Sequence, residues 1–223
     1  NKVILLEVNC QTDFVAKDDN FANFSNQVAT AALAANETDA AKIVDLKLQD
    51  GSTVEEARIA LVQKIGENIQ VRRATIVEGE NLAVYKHGLR IGVAVSFAGD
   101  AATGKGVAMH IAAFNPVAVT AEQVPADLIA KEKEIAEAKA LESGKPANIV
   151  EKMVTGSVEK YLNEVVLERQ MYVIDNDKKV ADVLKATATV VAQFVRFEVG
   201  EGIEKKAEMS FAEEVAAAQA AAK

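Results

Sequence analysis

Ile4-Leu5-Leu6-Glu7-Val8-Asn9-Cys10-Gln11-Thr12-Asp13-Phe14-Val15-Ala16-Lys17 is the stretch that decides the fold around it, because a strand-like pattern gives way here to a helix-like one. Residues 3–9 are mostly aliphatic and predict a β-strand. Thr12 or Asp13 is suited to cap the helix that follows, since a side-chain oxygen at that position accepts a hydrogen bond from the first helical turn. The sequence therefore places a carboxylate, Asp13, beside an aromatic ring, Phe14, where the strand passes into the helix.

Two interpretations of Asp13 and Phe14 are open. In the structural one, Asp13 favours the positive end of the helix dipole and Phe14 packs inward. In the functional one, Phe14 is exposed and the two side chains form a wedge: the acid disturbs the surroundings of a cation in another protein, and the ring separates that protein's side chains. Spacing alone favours the structural interpretation and does not determine whether Phe14 is exposed.

The composition fits a globular chain with protein partners better than a nucleic-acid binder. Of 223 residues, 50% are hydrophobic, which is ample for a core, and the net charge of −8 argues against direct nucleic-acid binding, which needs a clustered positive surface. Cys10 is the only cysteine, so an internal disulfide is excluded and a cytoplasmic location is expected. No apolar run approaches the ~20 residues of a membrane span, so we expect no membrane partner. Because the chain starts at Asn1 without Met, we expect further residues before it.

The remaining patterns predict an α+β fold with antiparallel sheets and flanking helices. The first helix fades near Asn36, and a second runs from the capping box Thr53–Glu56 to a terminator at Gly66. Strands are predicted at 69–77, 82–87, 90–98 and 189–199, with 78–81 as a hairpin turn, and connections this short favour antiparallel pairing. Further helices are predicted at 104–115, ended by Pro116, and at 178–185.

Residues 126–177 predict an inserted helical hairpin. A Lys/Glu/Ala-rich helix over 127–141 is followed by the turn Ser143-Gly144-Lys145-Pro146. The second helix carries one apolar stripe, formed by Val150, Val154, Val158, Tyr161 and Val165. Such a pair usually packs as part of a core, but a projecting stripe favours self-association or docking of a partner.

A faint internal similarity indicates two related subdomains, with chance as the alternative. Residues 71–79 and 195–202 share a Val-Arg start and a Glu-Gly end, and each follows a helix. We therefore predict core subdomain N at 1–98, core subdomain C at 99–125 with 178–203, the hairpin at 126–177, and a C-terminal module at 204–223, whose helix opens with the capping box Ser210–Glu213.

The sequence gives little support to an enzyme. His110 is one of two histidines and lies on an Ala-rich helical face without a visible orienting acid, so hydrolysis by His110 is the weakest hypothesis. One cysteine and two distant histidines make no zinc pattern, and no complete phosphate-binding glycine motif is present. Arg72 and Arg73 are predicted to point to opposite faces of a strand, which argues against a basic patch. We expect no catalytic residue, metal or cofactor.

Several ordered blocks nevertheless resemble the bacterial elongation factor Ts family, the guanine-nucleotide exchange factors of translation. The blocks are Asn9-Cys10-Gln11-Thr12-Asp13-Phe14-Val15-Ala16; Lys64-Ile65-Gly66-Glu67-Asn68-Ile69 with Arg72-Arg73; His87-Gly88 with Arg90-Ile91-Gly92-Val93; Met109-His110-Ile111-Ala112-Ala113; Ser143-Gly144-Lys145-Pro146; and Arg196-Phe197-Glu198-Val199-Gly200-Glu201-Gly202-Ile203. The resemblance covers essentially the whole chain. The family usually begins with a small N-terminal helical domain, which none of the residues of this chain resembles, and Gln170-Met171-Tyr172-Val173 stands where a Gln-Pro-Phe-Val-like sequence is common.

The resemblance implies a partner and a set of contact residues. The partner would be elongation factor Tu, a P-loop GTPase that holds its nucleotide partly through Mg²⁺. Thr12, Asp13, Phe14 and Val15 would enter near that ion and displace the phosphate loop, with further contacts from Ile65, His110 and Ile111 and from the C-terminal module. The alternative is a translation-independent interaction scaffold that uses the helical hairpin.

Overall fold

The computed structural model describes residues 1–142 and 144–203, so the predicted C-terminal module and its capping box at Ser210 lie outside the described residues. The strands are β1 (Lys2–Asn9), β2 (Gln70–Glu78), β3 (Asn81–His87), β4 (Ile91–Ala98), β5 (Met171–Tyr172), β6 (Asp175–Lys179) and β7 (Val190–Glu198). The helices are α1 (Asp13–Ala16), α2 (Asp19–Ala35), α3 (Ala40–Ile43), α4 (Val54–Ile65), α5 (Ala101–Phe114), α6 (Ala126–Glu142), α7 (Ala147–Val165) and α8 (Val180–Ala186). The α+β prediction is confirmed, since small antiparallel sheets are flanked by helices.

The first sheet pairs β1 with β2; α2 contacts β1, α3 contacts β2, and α4 packs against α2. The single helix predicted from residue 13 is divided, because the Asp18 side chain accepts hydrogen bonds from the backbone of Asn20 and Phe21 and starts α2 anew. The capping box at Thr53 and the left-handed C-cap at Gly66, φ 83°, are confirmed. The core of this layer contains aromatic and branched side chains from the strands and helices, chiefly Val15, Phe21, Phe24, Val28, Ile43, Leu61, Ile69 and Val71.

The second sheet has the order β3-β4-β7, all antiparallel. The predicted hairpin turn at 78–81 is wrong: β2 pairs with β1, and the chain crosses at Gly79 into the other sheet. A turn signal marks a change of direction but does not identify the partner strand. A Cβ at Gly79 would lie 2.0 Å from Ser96 Oγ, so glycine allows the chain to cross close to β4. β3 and β4 fall inside the predicted 1–98 subdomain, yet β4 pairs on its other side with β7, so the three strands form one sheet.

Helix α5 packs closely on the second sheet. Gly104 allows this approach, because a Cβ there would lie 2.5 Å from the Phe97 ring of β4. Gly106 allows α5 to approach β5 as well, since a Cβ there would lie 1.9 Å from Tyr172 Oη. Asp100 caps the helix through the Thr103 N–H, and Asn115 ends it in a left-handed conformation. The second core therefore lies between α5 and the sheet.

The apolar stripe predicted on α7 is largely covered within the chain. Val154 is buried against Ala136 and Ala140 of α6, and Val150 packs with them. Val158 and Val165 pack against a separate cluster that includes Val124 and Leu162. The core-packed interpretation of the hairpin therefore accounts for most of the stripe. No helix within the described ranges is both long and apolar enough to cross a membrane.

A buried acid, Glu7, joins the two sheets. Its carboxylate accepts hydrogen bonds from Arg72 Nη1 at 2.9 Å, from Arg73 Nε and from the Gly200 N–H at 2.8 Å, just beyond β7. The prediction that the two arginines point to opposite faces is wrong, because the register shifts after Glu7 and Arg72 becomes the extra residue of a bulge. Burial alone would raise the pKa of Glu7, but the Gly200 N–H and the two guanidinium groups hold it below its ordinary value.

Candidate functional site

Phe14 is exposed at the start of α1. Its side chain is 89% exposed, and Asp13 beside it is exposed as well. Of the two possible caps, the structure uses Thr12, whose hydroxyl accepts a hydrogen bond from the Val15 N–H at 3.3 Å. Val15 is buried in the first core and anchors the turn. The interpretation in which Phe14 packs inward is therefore wrong, and the exposure that a wedge requires is present.

The turn that carries the wedge is held from the side by Glu67, a residue to which the sequence patterns assign no role. Its Oε2 accepts the backbone N–H groups of Gln11, at 3.2 Å, and of Thr12, at 3.0 Å, while its Oε1 accepts the Thr12 hydroxyl at 2.6 Å. Glu67 follows the C-cap glycine of α4. In the sequence, Glu67 is marked only as an acid directly after the predicted helix terminator Gly66. Spacing along the chain does not predict that this acid contacts Thr12.

Cys10 lies in the same turn, where its surroundings favour the protonated thiol over the reactive thiolate. Its Sγ donates to the Thr12 carbonyl at 3.4 Å. Burial raises the pKa of the thiol, and the negative charges of Glu67 and Asp13 raise it further. The thiol therefore stays protonated at neutral pH.

His110, predicted as a contact residue, is fully buried near the C-terminal end of α5. Its Nδ1 accepts the Val173 N–H at 3.1 Å, so Nε2 carries the proton and donates to Gln170 Oε1 at 2.9 Å. Burial lowers the pKa of His110, although the Gln170 hydrogen bond acts in the opposite direction. Both ring nitrogens of a neutral imidazole are thus hydrogen-bonded inside the protein, so neither is free to act as a general base toward a substrate, which argues against the hydrolase hypothesis.

The other predicted contacts differ in exposure. Ile111 is fully buried in the second core, whereas Ile65 is half-buried at the last turn of α4. The His110 ring stacks on Phe114 with centroids 4.7 Å apart, and Phe114 is 48% exposed. His110 and Ile111 are buried and could contact a partner directly only if the side chains around them moved. The exposed ring at this end of α5 is that of Phe114.

Metal ligation finds no support in the part of the chain that the structure describes. Across residues 1–142 and 144–203, no three His, Cys, Asp or Glu side chains converge closely enough to hold an ion. What this site offers chemically is an exposed carboxylate and an exposed ring on a rigidly held turn, which suits contact with another macromolecule.

Comparison with known proteins gives a consistent result. The family model described as Elongation factor TS matches residues 11–201. The chain is 84% identical over all of its 223 residues to elongation factor Ts of Acinetobacter baylyi, covering 77% of that protein. It is 85% identical to elongation factor Ts of Acinetobacter baumannii over the same share, and 70% identical to that of a Psychrobacter species, of which it covers 76%.

Proposed function

Because the chain belongs to the elongation factor Ts family of translation elongation factors, we propose that it accelerates the release of GDP from elongation factor Tu. The observation that carries this proposal is the wedge: Phe14 is 89% exposed beside an exposed Asp13 on an anchored turn. An aromatic ring that stays in water in the free protein gains its burial only in a complex. Family membership favours this function over the translation-independent scaffold.

The two side chains have separate tasks in the proposed mechanism. A P-loop GTPase holds GDP with backbone amides, a lysine and a Mg²⁺ ion next to the β-phosphate. The Asp13 carboxylate disturbs the water and hydroxyl ligands of that ion. Phe14 inserts between side chains of the GTPase and shifts its phosphate loop. Thr12 and Val15 hold the pair in place, through the cap and through the first core.

Exchange then follows from thermodynamic linkage. A factor that binds the empty GTPase more tightly than the loaded one weakens nucleotide binding by the same ratio. Each ~1.4 kcal/mol of that difference is a tenfold change in affinity. No covalent bond is made or broken, so the function needs neither a catalytic residue nor a cofactor and belongs in the cytoplasm, where translation takes place.

Other surfaces extend the proposed contact. Ile65 lies at the end of α4, and Glu67 connects that end to Thr12 by hydrogen bonds. The end of α5 contributes through Phe114, with His110 and Ile111 supporting it from below. The C-terminal module, beyond the described residues, is the third proposed contact.

Release of a fluorescent GDP from elongation factor Tu, followed by stopped flow, tests the proposal. Phe14→Ala is expected to slow the accelerated release strongly, and Asp13→Ala to act in the same direction. Val190→Ala is a matched control, because Val190 is a 64% exposed apolar residue at the start of β7 and belongs to none of the proposed contact surfaces. Unchanged acceleration by Phe14→Ala, in protein with a normal thermal melt, would remove the wedge from the mechanism.

Self-association through the hairpin is a second, compatible proposal. Leu141 and Ile149 are exposed at the tip, on either side of the turn between α6 and α7. Sedimentation velocity of the chain and of Leu141→Glu decides it: a dimer that dissociates in the variant supports the proposal, and a monomer in both cases rejects it.

A further inference from the structure

We propose that Glu67 is a positioning residue for the wedge, and that its carboxylate fixes residues 10–12 in the conformation that presents Asp13 and Phe14 to the partner. This inference rests on the proposed exchange function. Glu67 lies 55 positions along the chain from Thr12. The inference therefore adds a residue from a different segment to those on which exchange depends.

The carboxylate determines how the cap of α1 is arranged. Glu67 Oε1 accepts the Thr12 hydroxyl proton at 2.6 Å, which leaves a lone pair of that oxygen free to accept the Val15 N–H at 3.3 Å. The other oxygen, Oε2, accepts the N–H groups of both Gln11 and Thr12. One side chain therefore fixes the rotamer of the capping residue and the backbone on its N-terminal side.

This segment needs such an external support. β1 ends at Asn9, so Gln11 and Thr12 have no strand partner. Helix α1 has only four residues and ends at Lys17, before Asp18 caps the next helix. A single helical turn is not stable by itself, since fixing its backbone dihedrals yields few hydrogen bonds. Hydrogen bonds to a charged acceptor are the stronger kind, which makes Glu67 an effective clamp on the turn.

The position of Glu67 is itself fixed by the end of α4. Gly66 adopts the left-handed conformation, with its N–H bonded to the Val62 carbonyl, and this turns the chain so that the next side chain reaches Thr12. Ile65 precedes that glycine. A partner that touches Ile65 and the wedge therefore meets one connected unit rather than two independent contacts.

GDP release by Glu67 variants, each made both in the parent chain and in the Phe14→Ala background, tests the inference. Glu67→Ala is expected to slow release about 10-fold to 100-fold, the range that follows from small misplacements of a positioned group. Glu67→Gln should be intermediate, because one oxygen still accepts the backbone N–H groups. Glu67→Asp should resemble Glu67→Ala, because its shorter side chain does not reach Thr12. In the Phe14→Ala background, Glu67→Ala should add less than about twofold, since the two residues act as a unit.

Cys10 supplies a local readout that is independent of exchange. As the only cysteine, it reports on the turn through its alkylation rate. Glu67→Ala should raise that rate, because the turn loosens and a nearby negative charge is lost, while the thermal melt stays close to that of the parent chain.

The outcomes separate the two proposals. If Phe14→Ala slows release but Glu67→Ala does not, or if the Glu67→Ala effect is undiminished in the Phe14→Ala background, the positioning role is overturned and the proposed function stands. If Phe14→Ala has no effect, the proposed function fails, and the Cys10 alkylation rate alone decides whether Glu67 holds the turn. An unchanged alkylation rate in Glu67→Ala overturns the inference in either case.

Discussion

Replacing Glu7 by Ala is expected to destabilise the chain by about 3 kcal/mol, although the residue lies outside the proposed contact surface. The Glu7 side chain is 1% exposed and accepts hydrogen bonds from Arg72, Arg73 and the Gly200 N–H. Its removal leaves two guanidinium groups without their central counter-charge, and it cuts the hydrogen bond that joins β1 to the end of β7.

The magnitude follows from the burial of the partners. Removing one member of a buried ion pair costs about 3–5 kcal/mol. Here the side chains of Arg72 and Arg73 are 20% and 30% exposed. Each also donates to a backbone carbonyl, Arg72 to that of Glu201 and Arg73 to that of Glu198. Water and these acceptors reduce the loss, so the lower end applies. Glu7→Gln keeps the shape and one acceptor oxygen, and about 1–2 kcal/mol is expected for it.

Urea unfolding followed by circular dichroism measures this, with Glu78→Ala as the control. Glu78 pairs with Lys2 on the same sheet, but both side chains are about half exposed, so its loss should cost at most about 1 kcal/mol. A Glu7→Ala variant no less stable than Glu78→Ala would refute the reasoning, because it would mean that the buried acid contributes nothing beyond a surface pair.

The pH dependence provides a second check on Glu7. Its folded pKa lies below the ordinary value of 4.5, so the unfolded chain takes up the proton first as pH falls. The stabilisation is complete above pH 4.5 and is lost as pH falls through the folded pKa. The difference in unfolding free energy between the parent chain and Glu7→Gln should therefore shrink below pH 4.5, and a constant difference would contradict the assigned pKa direction.

Two further predictions concern the second sheet and the hairpin. Because burial holds the pKa of His110 below its ordinary value of 6.5, the parent chain should lose stability as pH falls below 6.5. In urea titrations at several pH values, this loss of unfolding free energy should be absent in His110→Gln and retained in His87→Gln. An equal dependence of the unfolding free energy on pH in all three chains would contradict the prediction. Gly106→Ala should destabilise the chain by about 1–3 kcal/mol, because its Cβ would lie 1.9 Å from Tyr172 Oη, whereas Gly156→Ala, with nothing within 4 Å, should stabilise α7 by up to about 1 kcal/mol. Thermal melts should show opposite signs, and a common sign would count against the packing described for α5.

Local chemistry made most elements predictable from the sequence. The Thr53 capping box, the Gly66 terminator and the strand before Cys10 all depend on neighbours within a few positions. Strand partners depend on contacts between distant segments, which is why β2 was paired with the wrong neighbour. The bulge that turns Arg72 and Arg73 toward one carboxylate could not be predicted either, because a one-residue register shift leaves no signal in the local sequence.

The candidate site divides in the same way. The Thr12–Val15 group was identifiable from residue types, but the exposure of Phe14 was not, because a four-residue helix has no period from which to predict a buried face. The burial of His110 and the contact from Glu67 to Thr12 depend on tertiary packing across 60 and 55 positions. These are features that only the assembled fold supplies.

The affinity for elongation factor Tu, measured by titration calorimetry with and without bound GDP, tests the central claim most directly. An exchange factor must bind the nucleotide-free GTPase more tightly, and if the wedge is responsible, the ratio of the two affinities should fall toward one in Phe14→Ala. Equal affinities of the parent chain for the two forms, or a ratio that Phe14→Ala leaves unchanged, would contradict the account.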